Sequence, residues 1–303
     1  MNIVVTGATG FIGRNLINKL LCDSNNLIFA VTRPNSAKRS FLPSDDHLTI
    51  VECSFDNLTN LPTILKSDID AFYHLGWEGI RNPERENTQL QYMNYKYAID
   101  AIHVAKQLGA NVFIGAGSQA EYGLCAGQIS DEYPAHPISE YGKWKLRVCN
   151  EGEIIANENN MRFIWARIFS TYGVGDNNGT MINTVLSKMM NDEPIALTKC
   201  IQKWNFTYIS DIIRAFKLLQ NAPTGVYNVA NSDTRELNEF IYEMLDITHS
   251  KSELQFGAVP YGPDGIGGFE PISNKLRKIV RWEPEISFKD GIELLVSEFT
   301  KES

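Results

Sequence analysis

Tyr141 and Lys145 stand four residues apart in Tyr141-Gly142-Lys143-Trp144-Lys145, so a helix would project both from one face. A phenol with an ordinary pKa of ~10 is a poor acid–base group at neutral pH, and a neighbouring ammonium would draw it toward the working range. Ser118, upstream at the end of an apolar run, could hydrogen-bond the same substrate oxygen. Alone, a Tyr-x-x-x-Lys marks only a helix face. It gains meaning from a second group, Thr6-Gly7-Ala8-Thr9-Gly10-Phe11-Ile12-Gly13. Between a strand and a helix, Gly7 permits a tight turn, Gly10 lets the backbone approach a pyrophosphate and Gly13 lets helix and sheet close up. The helix N-terminus then offers N–H groups to the phosphates. The two groups together point to hydride chemistry with a dinucleotide, whose positive nicotinamide ring would further favour the ionised phenol.

The next strand bears on which dinucleotide. An NAD site usually ends that strand with an acidic residue for the ribose diol. Here it reads Val31-Thr32-Arg33-Pro34, with Lys38 and Arg39 beyond. No carboxylate stands there to repel a 2′-phosphate, and Arg33 could pair with one, which favours NADP over NAD.

Such groups need a scaffold. Strands are expected at Ile3–Thr6, Leu27–Val31, Leu48–Glu52, Ala71–Leu75, Asn111–Ala116 and Phe163–Ile168, with helices at Phe11–Cys22, Leu90–Leu108 and Glu140–Asn157. Apolar strands separated by helix-length segments imply parallel β-α-β units, hence an α/β, doubly wound (Rossmann) parallel sheet. After Thr171 the texture changes. The segment 172–179 reads as a loop, Met181–Met190, Asp211–Gln220 and Leu237–Leu245 as helices, Trp204–Tyr208 and Val226–Val229 as short strands, and the glycine-rich 261–268 as a loop. The expected division is a dinucleotide-binding domain over 1–172, with 205–231 returning to it. A smaller, interleaved C-terminal substrate lobe would take 173–204 and 232–303.

Composition removes other classes. With 36 acidic against 28 basic side chains, a net charge of −8 and no basic run, nucleic-acid binding is not expected. No stretch approaches ~18 uninterrupted apolar residues, so no membrane span is expected. Five cysteines without a Cys-x-x-Cys pair, and five separated histidines, suit buried thiols in a reducing compartment better than disulfides or a metal site. A cytoplasmic location is the expectation, since the N-terminus leads straight into a core strand.

These motifs resemble the extended short-chain dehydrogenase/reductase family of nucleotide-sugar epimerases, dehydratases and reductases, over nearly the whole chain. Thr6–Gly13 matches its cofactor loop, His74-Leu75-Gly76 the segment beneath the cofactor, and Asn94 its helix asparagine. Gly117–Gly123 and Tyr141–Lys145 match the segments of its catalytic serine and tyrosine–lysine pair. The resemblance implies Ser118, Tyr141 and Lys145 as catalytic residues. It implies cofactor contacts from Gly7, Thr9, Gly10, Phe11, Ile12, Gly13, Thr32, Arg33, Ser54, Phe55, Leu75, Gly76, Trp77, Asn94, Ala116, Tyr141, Lys145 and Phe169. Substrate contacts are implied for Trp77, Gln119, Ser170, Thr171 and Lys203, with Lys199 and Lys275 as further candidates for a diphosphate. Trp204 stands where the family's usual arginine would be.

Departures narrow the activity. Dehydrating members carry an acidic pair where this chain has Gln119 and Ala120, and C3/C5-epimerising members resemble one another in a cysteine at the position of Ala120. Glu121 is expected to be structural. The resemblance therefore implies NADPH-dependent reduction of a nucleotide-linked 4-keto-6-deoxyhexose, with Tyr141 as proton donor. The alternatives are a UDP-hexose-type 4-epimerase with tightly held NAD(P), and a non-catalytic NADP-binding scaffold. A nucleotide-diphosphate sugar is the implied partner, and a homodimer joined by a four-helix interface is expected from Leu90–Leu108 and Glu140–Asn157.

Overall fold

A computed structural model describes residues 1–125, 127–176, 179–261 and 267–302. Asn177 and Asn178 of the expected loop 172–179, and 262–266 of the loop 261–268, lie outside the described residues. Seven parallel strands form the main sheet: β1 (Asn2–Thr6), β2 (Leu27–Thr32), β3 (Leu48–Glu52), β4 (Ala71–His74), β5 (Val112–Ser118), β6 (Arg162–Ile168) and β7 (Gly225–Val229). Their order is β7-β6-β5-β4-β1-β2-β3, a doubly wound arrangement whose direction reverses between β1 and β4. The strands are apolar because both faces are covered. Ile3 and Val5 enter one core cluster while Val4, pointing the other way, enters the second.

Helices α1 (Phe11–Leu21), α2 (Thr88–Gln107) and α3 (Glu140–Glu158) position the chemistry. The first two begin and end within two residues of the sequence expectation. Asn87 caps α2, its side-chain oxygen accepting from Leu90 N at 3.0 Å, and so adds a turn before the apolar stripe starts. Ser139 caps α3 in the same way, accepting from Gly142 N at 3.1 Å.

The later segment builds the second lobe and part of the first. Strand Gly225–Val229 joins the main sheet beside β6, whereas Lys203–Tyr208 pairs with Ser170–Tyr172 and Thr234–Glu236 in a separate three-stranded sheet. Helices Met181–Met190, Ile209–Leu219 and Leu237–Thr248 fall where periodicity placed them. Helices Asn274–Val280 and Phe288–Glu302 were not anticipated. The second had a signal: Phe288, Ile292 and Leu295 recur at helical spacing and are buried.

Candidate active site

Three cavities and the group Ser118, Tyr141 and Lys145 gather beyond the C-terminal ends of the strands, where the crevice of an open α/β fold receives ligands. The glycine turn follows β1. Gly7 has φ +66°, and a Cβ there would sit 2.5 Å from Gly76 N, so the turn after β1 approaches the one after β4 this closely only because Gly7 lacks a side chain, while a Cβ on Gly76 would strike the Phe55 ring. A Cβ on Gly13 would strike the Gly7 carbonyl, which makes that glycine the condition for seating α1 on the turn. Thr9, Gly10, Thr32, Arg33, Lys38, Phe55, Leu75, Gly76, Trp77 and Glu78 line a cavity of about 210 Å³ around this turn. Thr32 Oγ1 is buried there without a protein partner among the described residues. A cradle a Cβ would fill, an orphan hydroxyl and two cations at the rim fit a dinucleotide.

Not every expected cofactor contact lines that cavity. Ser54 precedes the helical turn Phe55–Asn60, accepting from Asn57 Nδ2 at 3.2 Å. Phe11 and Ile12 pack on the core, and Phe169 is buried with Tyr122. Asn94 acts through the loop after β4: its side chain accepts from Glu78 N at 3.1 Å and donates to Glu78 O at 2.8 Å. Gln91, one turn earlier and fully buried, donates to Gly79 O at 2.7 Å and to Glu84 O at 3.0 Å, and accepts from Trp77 Nε1 at 2.7 Å. These two amides of α2 fix the path of Trp77 and Glu78.

Ser118, Tyr141 and Lys145 converge. Ser118 ends β5 and caps a short helical turn, accepting from Ala120 N at 3.2 Å, while Glu121 accepts from Ser118 N at 2.7 Å. The Glu121 carboxylate is wholly buried and also takes Trp165 Nε1 at 2.9 Å and Arg167 Nε at 2.7 Å from β6. It is a structural group that fixes the serine. Tyr141, 9% exposed, and Lys145, 4% exposed, share the buried face of α3. Burial pushes the Tyr141 phenol up, opposed by a hydrogen bond with Ser118 and by the Arg85 guanidinium. Lys145 Nζ lies 5.8 Å from the centre of the Tyr141 ring. Its ammonium donates to Ala116 O at 2.6 Å and lies 3.9 Å from the centre of the Trp77 ring. Burial pulls the ammonium down to about 7, with Glu121 opposing.

Arg85 is the group that sequence reasoning missed. Its guanidinium lies 4.8 Å from the centre of the Tyr141 ring. The turn Glu84–Glu86 that carries it is held by Gln91 on one side, and on the other Glu86 accepts from Glu140 N at 3.1 Å. The run Arg81-Asn82-Pro83-Glu84-Arg85 carried no periodic signal; two arginines in a segment leaving a strand end were the only cue. Beneath the turn, His74 is buried with Nδ1 2.9 Å from Thr6 Oγ1, and burial, aided by Lys145, lowers it to about 3, so it is neutral.

On the lobe side, Arg85, Gln119, Ala120, Leu124, Gln202, Trp204, Tyr261 and Phe269 are among the lining of a cavity of about 420 Å³, with no carboxylate among the described lining residues. A second cavity, of about 490 Å³, is lined by Arg81, Ser170, Thr171, Thr180 and Phe206 among others, and shares Trp204 as a wall. Of the expected substrate contacts, Gln119 thus lines the first of these cavities and Ser170 and Thr171 the second. Lys203 does not line either cavity and pairs with Glu270 at 3.0 Å. Lys275 donates to Val226 O at 3.0 Å, and Lys199 lines neither cavity. Cys125 is half-buried, and burial pushes its thiol up, which disfavours the reactive thiolate.

Comparison with known proteins agrees with this geometry. The model of the NAD dependent epimerase/dehydratase family matches residues 3–230. CDP-abequose synthase of Salmonella muenchen is 27% identical over 97% of this chain and 97% of its own. UDP-glucuronic acid decarboxylase 6 of Arabidopsis thaliana is 24% identical over 99% of this chain and 89% of its own. Among solved structures, UDP-glucose 4-epimerase of Thermotoga maritima superposes with a TM-score of 0.88 at 20% identity, covering 100% of this chain and 99% of its own. The UDP-glucose 4-epimerase of Thermus thermophilus, solved with NAD, gives 0.88 at 17% identity, with both chains fully covered.

Proposed function

The chain belongs to the NAD dependent epimerase/dehydratase family, and from that premise we propose that it reduces a nucleotide-linked 4-keto-6-deoxyhexose with NADPH. The observation that carries this reading is the convergence of Ser118, Tyr141 and Lys145 beside a cavity that offers Gln119 and Ala120, and no carboxylate among its described lining, to the substrate. Elimination of water across C5–C6 of a 4-keto sugar needs one carboxyl group to take the C5 proton and another to protonate the departing C6 hydroxyl, and an amide and a methyl do neither. Hydride transfer to a carbonyl needs only one proton donor.

A bound, reduced dinucleotide supplies the hydride to the carbonyl carbon. Tyr141 gives its phenolic proton to the carbonyl oxygen, so the product gains one hydride and one proton. The phenolate left behind faces the Ser118 hydroxyl and the Arg85 guanidinium, both of which favour it. Ser118 polarises the carbonyl before transfer. Lys145, held at Ala116 O, would bind the nicotinamide ribose. Thr32, Arg33 and Lys38 support the 2′-phosphate form of the dinucleotide. The relative named as the synthase of a CDP-linked sugar supports a nucleotide-sugar substrate.

A second reading, 4-epimerisation, uses the same three residues and is favoured by one feature: Glu78 brings a carboxylate to the dinucleotide cavity. The test is purified protein with NADPH and dTDP-, GDP- and CDP-linked 4-keto-6-deoxyhexoses, following NADPH absorbance. Consumption with one of them is expected. Tyr141→Phe should lower turnover by at least ~10²-fold with NADPH affinity almost unchanged. Interconversion of UDP-glucose and UDP-galactose with no NADPH consumption would replace this reading with the epimerase, and binding without turnover would leave a scaffold.

A further inference from the structure

Glu78 has no place in the chemistry above, yet it is held with care. Its Oε1 lies 3.0 Å from Arg33 Nη1, and both residues line the dinucleotide cavity with Thr32 and Lys38. Its main chain is fixed, because the buried Asn94 side chain bonds both its N–H and its carbonyl. The strand end that usually bears an acidic residue bears Thr32 instead, with a buried hydroxyl that has no hydrogen-bond partner among the described residues. A carboxylate therefore reaches this rim from the segment after β4.

We propose that Glu78 is a specificity-determining residue for the dinucleotide, competing with a 2′-phosphate for Arg33. The proposal rests on the dinucleotide reading of this cavity. When the ribose carries a free diol, the carboxylate keeps Arg33 and accepts from the hydroxyls. When it carries a 2′-phosphate, Arg33 turns to the phosphate in a charge-assisted, two-pronged contact. Glu78 is then an unpaired like charge beside that phosphate, a repulsive element of the kind that sets specificity. The exchange is feasible because the existing pair is solvent-exposed, at 66% and 49%, and such pairs hold weakly. The preference of the protein is the outcome of this contest, with Lys38 adding to the phosphate side.

The experiment is fluorescence titration of NADPH and NADH into the whole protein, as wild type, Glu78→Gln and Arg33→Ala, with thermal melting to check that each variant is folded. Glu78→Gln should move the ratio of the two dissociation constants at least ~10-fold toward NADPH, and Arg33→Ala should move it toward NADH. A ratio unchanged in Glu78→Gln, or moved toward NADH, overturns the proposal, as does a wild-type protein that takes up neither dinucleotide. A wild type that prefers NADH, with Glu78→Gln still shifting the ratio, removes the NADPH reading while the role of Glu78 stands.

Discussion

Lys145 is almost wholly enclosed, beneath the Trp77 ring and against the Ala116 carbonyl, and burial holds its ammonium at about 7. A lysine that binds its proton less readily folded than unfolded lowers stability most where both states are charged, below about 7. That cost fades as the pH climbs from there toward the ordinary value of ~10.4. Lys145→Met should therefore be most favourable at low pH: the melting temperature of the variant minus that of wild type should shrink steadily from pH 7 to pH 10. A flat difference would refute the assignment. Arg85 makes a complementary prediction. Its charge pulls the Tyr141 phenol down against burial, so Arg85→Gln should move the phenol up. The proposed reduction needs the protonated phenol, so activity is expected to fall as pH rises through that value. The alkaline limb of kcat/KM should shift to higher pH in Arg85→Gln, and Arg85→Lys should bring it back. The remaining groups facing the phenol are Ser118, Glu121 and Lys145, and they are unchanged in both variants.

Helix α2 acts as a bracket for the loop that follows β4. Through Gln91 and Asn94 it makes five hydrogen bonds to Trp77, Glu78, Gly79 and Glu84. Asn94→Ala removes two of these and leaves a main-chain N–H and carbonyl without their partners, which costs about 1–3 kcal/mol. Urea unfolding should show the loss as a lower midpoint with an unchanged slope, and Asn94→Asp, which lacks the donor to Glu78 O, should recover it only in part. This bracket explains what was and was not legible in the sequence. Periodicity fixed α2 and the strand before it, and the spacing of Tyr141 and Lys145 fixed their shared face on α3, since local pattern sets those elements. It could not show that Asn94 works through Glu78 backbone rather than on a ligand. Nor could it place Arg85 over Tyr141, because both depend on how a non-periodic loop crosses between two helices. The cation expected beside the phenol was Lys145, whose ammonium lies 5.8 Å from the Tyr141 ring centre while donating to the Ala116 carbonyl; the fold adds Arg85 at 4.8 Å.

Helices α2 and α3 pack on one face of the sheet and keep apolar groups on their outer side. Tyr92 and Ile154 are exposed, and Tyr92, Tyr95 and Trp144 form a cluster with ring centres 5.2–6.0 Å apart. Pairing with a second copy about a two-fold axis would cover this face with four helices, so the protein is expected to sediment as a dimer at micromolar concentration, and Ile154→Glu to shift it to monomer. A wild type that sediments as a monomer would remove the expectation. Among the described residues no helix is long and apolar enough to cross a membrane.

The Glu121 carboxylate ties the Ser118 main chain to Trp165 and Arg167 of the neighbouring strand. Breaking a buried pair of this kind costs about 3–5 kcal/mol, so the serine side of the site draws its rigidity from the sheet itself. Substitutions around Gln119, Gln202 and Trp204, which line an open cavity, are therefore expected to be tolerated more readily than changes at Glu121 or Arg167, where either loss strands a buried charge.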